Sequence, residues 1–382
     1  MLSDNSLNDE KEQPGAVSTL GRARVFNLEG PVPVLVEKCP FSDRPPAFPQ
    51  RARNIAPKNF REDQSKYLEV GLINNMPDAA LEATARQFIE LLRAAAPGII
   101  IRLKLFSMPG IPCSQWRRQH LSTQYSDFSS LWDSRLDGLI VTGTEPRAAD
   151  LMDEPYWRCL SEIIEWAEEN TIATVWSCLA AHAAVLHLDG IRRSPLAEKC
   201  FGLFQHTKVE DGRLLRGLPT RIPTPHSRWN EIPEDALISS GYRILSKSTA
   251  AGVDMFVKER KSLFLFFQGH PEYDTDTLTR EYRRDIGRFL RGERDSYPQV
   301  PKGYFDKQTA DILDAFRARA LINRRDELLS EFPTEHVASM LSNTWQSQAS
   351  CTYRNWLNYI VEHKASRTKI VHAAPICRVS VN

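Results

Sequence analysis

A cysteine, a histidine and a glutamate follow two apolar runs of the sequence. The β-branched run 171–176 stops just before Cys178, and the alanine- and leucine-rich residues that follow predict a helix. A second apolar run, 262–267, leads into Gly-His-Pro-Glu, which supplies His270 and Glu272. A glutamate can orient an imidazole, and an imidazole can activate a thiol. These three residue types therefore indicate a cysteine-nucleophile site.

The elements around Cys178 must place its sulfur where chemistry is favoured. A cysteine on a strand-to-helix turn lies beside a helix N-terminus, where the dipole and the free N–H groups favour the thiolate. Taken alone, a cysteine between apolar residues is more often a small buried hydrophobe. His270 at the end of another strand favours the functional interpretation, because the carboxyl ends of parallel strands share one edge of a sheet.

The rest of the pattern alternates strands and helices, which is typical of a layered α/β fold. Strands are predicted at 67–75, 99–105 and 137–142. Helices are predicted at 79–95, with Asp78 as the cap, and at 156–169. Further along, turns are predicted around Gly202 and Pro225, and an antiparallel hairpin from strands near 242–245 and 254–257.

Composition excludes several classes of protein. The chain has 382 residues, a formal net charge of +1 and 42% hydrophobic residues, so nothing in its charge indicates nucleic acid or an anionic membrane as a partner. Its seven cysteines are scattered without a CxxC pair, which argues against zinc ribbons and disulfide scaffolds. The polar N-terminus and the absence of a span-length apolar run predict a cytoplasmic protein.

No metal site and no bound cofactor are predicted. Four histidines lack a convincing ligand spacing. They are His182, His187, His206 and His226. His182 and Leu186 are better interpreted as packing on one helix face.

Seven short motifs in fixed order carry a resemblance to a known family. They are INNMP (73–77), DGLIVTG (137–143), EPYW (154–157), AEKCFGLFQH (197–206), PHSRW (225–229), GHPEYDTDTLTREYRRD (269–285) and NWLNYIV (355–361). With the cysteine, histidine and glutamate, the chain resembles the homoserine O-acyltransferases, which include homoserine O-succinyltransferases. The resemblance implies the class I glutamine amidotransferase-like fold, a three-layer α/β/α, flavodoxin-like sheet.

The resemblance also implies a ping-pong acyl transfer in methionine or cysteine biosynthesis. Cys178 would attack an acyl-coenzyme A thioester, which is a substrate here and not a cofactor. His270 would move the proton and Glu272 would hold the imidazole. The oxyanion would lie on backbone N–H groups of Leu179 and of the loop at Gly143.

Family residues that hold the amino-acid acceptor fall on five positions. They are Lys199, Ser227, Arg228, Glu281 and Arg284. An α-carboxylate pairs with a guanidinium or ammonium group, and an α-amine pairs with a carboxylate. The alternative for Glu281 and Arg284 is an exposed pair on one helix face. The family further implies a homodimer.

Four departures from the family pattern are present, and the first two bear on the substrate. The lysine expected just after Met76 and Pro77 is absent. Arg147 falls at the position that separates acetyl users, with Glu, from succinyl users, with Gly; an arginine there would either pair with a succinyl carboxylate or face solvent. Leu179 replaces an aromatic residue, and an insert at 307–350 has helical residues at 309–321 but no predicted role.

The sequence leaves three alternatives open. The acceptor is homoserine or another small hydroxy amino acid such as serine, since one methylene changes the binding free energy by only about 1–3 kcal/mol. The other two alternatives are an amidotransferase-like cysteine hydrolase and an inactive binding paralogue. The predicted organisation is a partly ordered N-terminal extension (1–62), an acyltransferase α/β domain (63–300), a C-terminal insert and helix packed on it (301–362) and a tail (363–382).

Overall fold

Ten strands form one mixed sheet in the computed structural model, which describes residues 34–37 and 67–373, with side chains through 365. In chain order the strands are β1 (Val34–Val36), β2 (Tyr67–Ile73), β3 (Ile100–Phe106), β4 (Gly138–Val141), β5 (Ala173–Ser177), β6 (Ser194–Lys208), β7 (Arg221–Glu231), β8 (Arg243–Ser248), β9 (Gly252–Glu259) and β10 (Leu263–Phe267). They lie in the order β1-β3-β2-β4-β5-β10-β9-β8-β6-β7. The first six strands in this spatial order, from β1 to β10, are parallel to one another. The pairings from β10 across to β7 are antiparallel.

Helices cover both faces of the parallel part of the sheet. In chain order they are α1 (Asp78–Ala95), α2 (Gln115–Gln124), α3 (Trp157–Asn170), α4 (Leu179–Asp189), α5 (Glu234–Ser239), α6 (Thr277–Leu290), α7 (Lys307–Ile322), α8 (Thr334–Met340) and α9 (Gln346–Ala373). Helices α1 and α9 pack on one face, and α3 and α4 pack on the other. This arrangement confirms the predicted three-layer α/β/α fold. None of these helices combines the length and apolar character that a membrane span requires.

The alternation of side chains along the strands explains the two layers. Successive residues of a strand point to opposite faces. In β10, Leu263 and Leu265 belong to the cluster under α1 and α9, whereas Phe264 and Phe266 belong to the cluster under α3 and α4. All four side chains are buried. A strand that is apolar at every position is thus explained by a sheet covered on both sides.

A third buried hydrophobic cluster lies beside the sheet and includes Phe201 of β6. Residues 307–345, which we call the C-terminal cap, contain α7 and α8 and pack against α6. The buried members of this cluster are Phe201, Tyr273, Leu278, Tyr282, Ile286, Phe289, Leu290, Leu313, Phe316, Ala320, Leu328, Phe332, Val337 and Trp345. The insert therefore supplies a small core of its own beside the helix that carries Glu281 and Arg284.

The structure confirms most predicted elements and corrects others. The hairpin near 242–257 is present as β8 and β9, and the helix predicted at 309–321 is α7. Asp78 is wrong as a cap, because it is the first residue of α1 and Pro77 precedes it at the N-cap. The turns predicted around Gly202 and Pro225 are also wrong, since both residues lie in the long paired strands β6 and β7.

Regular structure reaches into both of the terminal segments that were predicted from the sequence. Within the predicted N-terminal extension, Val34–Val36 forms an edge strand that pairs with β3, and residues 1–33 and 38–62 lie outside the described part. Helix α9 crosses the boundary at which the tail was predicted to begin, residue 363, and ends at Ala373. Residues 374–382 again lie outside the described part.

Candidate active site

Cys178 occupies a strained turn between β5 and α4. Its φ of 53° is the only positive value among the described residues other than glycine, and such a conformation costs on the order of 1–3 kcal/mol. Its backbone N–H donates to the Phe267 carbonyl at 2.8 Å, which joins the end of β5 to the end of β10. The cysteine also forms the N-cap of α4, so its sulfur lies near the free N–H groups of the first helical turn.

His270 and Glu272 follow β10 at the same edge of the sheet. The imidazole Nδ1 lies 2.8 Å from a carboxylate oxygen of Glu272, and both residues are buried. The backbone N–H of His270 donates to the Pro225 carbonyl at 2.8 Å, which fixes the loop to β7. An Nδ1–H held by a carboxylate leaves Nε2 to face the nucleophile.

The structure brings the imidazole of His270 into contact with Cys178, and this contact influences the charge of the imidazole. Burial lowers the pKa of His270, but Cys178 and Glu272 raise it through charge and hydrogen bonds. The net result is a pKa well above the usual value of the imidazole. A protonated imidazole at neutral pH favours the thiolate of a neighbouring cysteine. The arrangement can therefore present a nucleophile together with a proton donor.

The loop after β4 approaches the start of α4. A Cβ added to Gly143 would lie 2.9 Å from the backbone nitrogen of Leu179, which is tighter than real Cβ contacts allow. Only glycine brings this loop so close to the first helical N–H. The two residues that were predicted to lie near the oxyanion are therefore adjacent.

Glu154 holds the same loop from behind. Its buried carboxylate accepts hydrogen bonds from the backbone N–H of Arg147 at 2.5 Å and of Ala148 at 2.8 Å. Glu154 is the first residue of the EPYW motif, and no role was predicted for it from the sequence. A buried carboxylate that accepts two backbone N–H groups fixes a loop conformation.

The side chain of Arg147 lies at a cavity of about 710 Å³. The lining residues are Pro77, Asp78, Ala79, Ile111, Pro112, Cys113, Ser114, Thr144, Glu145, Pro146 and Arg147. Arg147 is exposed, so its guanidinium is open to a ligand as well as to solvent. Thr144, which follows Gly143 directly, lines the cavity together with Arg147, so the loop that touches Leu179 also borders this cavity.

A buried arginine stands near the position of the missing lysine. Arg117, which α2 contributes, donates to the Met76 carbonyl at 2.6 Å and lies 3.4 Å from a carboxylate oxygen of Asp78. Its second terminal nitrogen donates to Ser107 at 2.8 Å, and the side chain is 1% exposed. No local sequence pattern connects Arg117 with this turn, because the two lie about 40 positions apart in the chain. It holds the Met76–Pro77 turn, and its burial keeps it from a ligand.

Four of the five predicted acceptor residues belong to one cluster of hydrogen bonds and ion pairs, which we call the acceptor pocket. Ser227 donates to Glu281, and the Lys199 ammonium lies 3.7 Å from the same carboxylate and 3.5 Å from that of Asp285. Arg284 donates to Asp285 at 3.0 and 3.1 Å, and its side chain is about half exposed. Glu281 is thus bound inward to β7 and β6 and does not form an exposed pair with Arg284.

The fifth residue, Arg228, has other partners. Its guanidinium donates to the carbonyls of Asn230, at 2.7 Å, and of Ala251, and its Nε lies 3.3 Å from Nδ1 of His226. The side chain is buried. These contacts make Arg228 a support of β7 in this structure, not a group that faces the pocket.

Comparison with known proteins identifies the family of the chain. The family model described as homoserine O-succinyltransferase matches residues 50–367. The chain belongs to this family. The predicted resemblance is confirmed, and the protein is an O-acyltransferase by family.

Curated relatives in the family are similar over most of their length. The homoserine O-succinyltransferase of Rhodopseudomonas palustris is 46% identical over 324 residues, which cover 85% of this chain and 97% of the relative. That of Methylorubrum extorquens is 47% identical over 304 residues, which cover 80% and 90%. Among solved structures, a glutamine amidotransferase from Thermotoga maritima aligns with 77% of this chain and 98% of its own, at 12% identity and a TM-score of 0.42.

A group of buried polar side chains lies directly behind the catalytic loop of this family member. Ligand atoms of His206, His226 and Asp254 lie within 4.8 Å of one another, although their sequence spacing had not indicated a cluster. Asp254 accepts from the Gly269 N–H at 2.8 Å. Because an arginine Nε always carries hydrogen, the contact with Arg228 makes Nδ1 of His226 an acceptor and puts the proton on Nε2. A protonated Nε2 does not ligate a metal, and among the described residues this atom has no hydrogen-bond partner, since it lies 3.6 Å from the Asp254 carboxylate. Asp254 is the member of the group that bonds to Gly269.

Two other predicted residues are now placed. His182 is buried on α4, where burial, followed by the charges of Arg228 and Arg193, lowers its pKa to about 3. This neutral, buried imidazole agrees with the prediction of helix-face packing. His187 lies 3.1 Å from Glu165 at the surface.

Proposed function

We propose that this protein transfers a succinyl group from succinyl-coenzyme A to the hydroxyl of homoserine through an acyl-Cys178 intermediate. The observation that carries the proposal is the strained Cys178 at the N-terminus of α4, in contact with an imidazole that Glu272 holds at Nδ1 and whose pKa Cys178 and Glu272 raise against the effect of burial. The names of the curated relatives support the substrate pair.

In the first half-reaction the thiolate of Cys178 attacks the thioester carbonyl. The oxyanion forms beside the Leu179 N–H and the Gly143 loop, whose close contact supports this assignment. The C–S bond to coenzyme A then breaks, and the leaving thiolate takes the proton from His270. The products are an acyl-cysteine, free coenzyme A and a neutral imidazole.

In the second half-reaction the neutral imidazole accepts the hydroxyl proton of the amino acid. The alkoxide attacks the acyl carbonyl, the thiolate of Cys178 leaves, and His270 is again protonated. The pocket around Glu281 supports binding of the α-amine, and the half-exposed Arg284 supports binding of the α-carboxylate. Lys199 and Ser227 orient the carboxylate of Glu281.

The exposed guanidinium of Arg147 supports succinyl as the acyl group. It lies at the cavity that the Gly143 loop borders, where the far carboxylate of a succinyl group would meet it. Asp78 and Glu145 line the same cavity and disfavour an anion that is not paired with this arginine.

The experiment is intact-protein mass spectrometry after brief mixing with succinyl- or acetyl-coenzyme A. The expected result is a gain of one succinyl group, absent in Cys178→Ala and discharged by homoserine. Cys113→Ala is the matched control, because Cys113 is an exposed thiol at the same cavity and must not carry the label. Discharge by serine would select the serine transferase, and discharge by water alone would select the hydrolase.

No adduct with either donor, while Cys178 still reacts with iodoacetamide, would favour the inactive binding paralogue and contradict the proposal. A place in methionine or cysteine biosynthesis, a homodimer and a cytoplasmic location remain predictions that accompany it.

A further inference from the structure

We propose that Tyr273 is a positioning residue that joins the acceptor pocket to the catalytic imidazole, and that Trp345 of the C-terminal cap holds it in place. The inference rests on the proposed function, because it assigns a task within the same two half-reactions. It also gives the insert at 307–350 a role that its sequence does not predict.

The first contact is a ring stack. The Tyr273 ring lies on the His270 imidazole with centroids 4.2 Å apart and planes inclined by 16°. Glu272 holds Nδ1 at 2.8 Å, but a single hydrogen bond leaves rotation of the imidazole about the axis of that bond free. An aromatic face against the imidazole removes that rotation, and it also stabilises a protonated imidazole. Tyr273 thus fixes the direction in which Nε2 faces Cys178.

The second contact is at the other end of the same side chain. The Tyr273 hydroxyl donates to one carboxylate oxygen of Glu281 at 2.6 Å, while Ser227 donates to the other. Burial, reinforced by Glu281, holds the pKa of the hydroxyl well above its usual value, so the group remains a donor. The carboxylate proposed to bind the acceptor amine is therefore linked through one rigid ring to the base that activates the acceptor hydroxyl.

The third contact comes from the cap. Trp345 donates its indole N–H to the Tyr273 carbonyl at 3.0 Å and is 1% exposed. The indole belongs to the same buried cluster as Leu278 and Tyr282 of α6, the helix that carries Glu281. The cap thus fastens the turn at 270–273 and the helix of the acceptor pocket to one small core.

The test separates the ring from the hydroxyl. Tyr273→Leu removes both, and Tyr273→Phe restores only the ring. We expect Tyr273→Leu to slow iodoacetamide alkylation of Cys178 and formation of the acyl-cysteine by up to about 10²-fold, the loss that a misplacement of about 1 Å can cause. Tyr273→Phe restores both rates. Its own defect is a rise of about tenfold in the KM for homoserine, from the loss of one hydrogen bond to a charged group.

Tyr242→Phe is the matched control, because Tyr242 is also buried and also donates to a carboxylate, that of Asp189 at 2.5 Å, away from the site. We expect it to leave both half-reactions unchanged. Trp345→Phe keeps an aromatic ring without the indole N–H and is expected to show a milder form of the Tyr273→Leu defect.

Equal alkylation rates in the wild type and Tyr273→Leu would overturn the inference. So would a Tyr273→Phe enzyme with a normal KM for homoserine, since the tyrosine would then be only a core residue. Alkylation needs no acyl donor, so this result is independent of the proposed function. Failure of the wild type to form an acyl-cysteine would overturn the transferase assignment, while the alkylation rates would still decide the role of the ring.

Discussion

Gly143 lies so close to Leu179 that an added Cβ would be 2.9 Å from the Leu179 backbone nitrogen. The contact joins the loop after β4 to the first residue of α4, although α3 and β5 lie between them in the chain. A side chain at residue 143 would therefore displace the loop or the start of α4. The proposed oxyanion site depends on this close approach.

Gly143→Ala is expected to slow formation of the acyl-cysteine. The methyl group forces the loop or the start of α4 to shift, and loss of one oxyanion donor reduces rates by on the order of 10²–10³. Rapid-mixing mass spectrometry measures the rate. Gly212→Ala is the control, since its Cβ would meet nothing closer than 3.5 Å and its φ is −147°. A normal rate in Gly143→Ala would contradict the assignment.

Glu272→Gln is expected to lower the pKa of His270 and the acylation rate together. Burial lowers this pKa, and the charges of Cys178 and Glu272 raise it above the usual value, so removing one carboxylate removes part of the increase. The imidazolium of the wild type persists to higher pH than that of the variant. The alkaline limb of the acylation rate, measured against pH, moves to lower pH, and the rate falls by about 10².

Glu162→Gln, at an exposed carboxylate on α3, provides the comparison for that profile. Its pH dependence should match the wild type. If Glu272→Gln also matched the wild type, the glutamate would have no part in holding the imidazole.

Arg147→Ala is expected to change the choice of acyl donor. We expect kcat/KM for succinyl-coenzyme A to fall roughly tenfold, equivalent to about 1.5 kcal/mol for a hydrogen bond to a charged group, with acetyl-coenzyme A unaffected. Competition between the two donors measures the ratio directly. Arg158→Ala, whose side chain is 92% exposed on α3, controls for loss of a surface charge. An unchanged ratio would mean that Arg147 faces only solvent.

Trp356→Ala is expected to lower the free energy of unfolding by about 3–5 kcal/mol, as for other large aromatic side chains deleted from a core. The indole is fully buried, and it packs so closely on β4 that a Cβ at Gly138 would lie 2.9 Å from it. Urea denaturation measures the change. Trp229→Ala, at a 55% exposed side chain, should cost less than about 0.5 kcal/mol. Equal costs would contradict the packing of α9 on the sheet.

Local pattern identified five of the six parallel strands, namely β2, β3, β4, β5 and β10, and it missed the edge strand β1. The five strands are rich in apolar residues, and α1 and α3 have apolar residues at helical spacing, so period and composition identify them. The pattern failed in β6 and β7, where Gly202 and Pro225 predicted turns. Pairing between two long strands outweighs the preferences of single residues, and such pairing is a tertiary property.

The sequence by itself determined that a cysteine follows one strand and a His-Pro-Glu turn follows another, because both signals are local in the chain. Tertiary structure decided which side chains surround them. Only folding brings Tyr273 and Trp345 together, places Arg117 under the Met76–Pro77 turn and sends the guanidinium of Arg228 to backbone carbonyls. These contacts join positions up to 72 residues apart and depend on how helices pack on the sheet, which single-residue preferences do not encode.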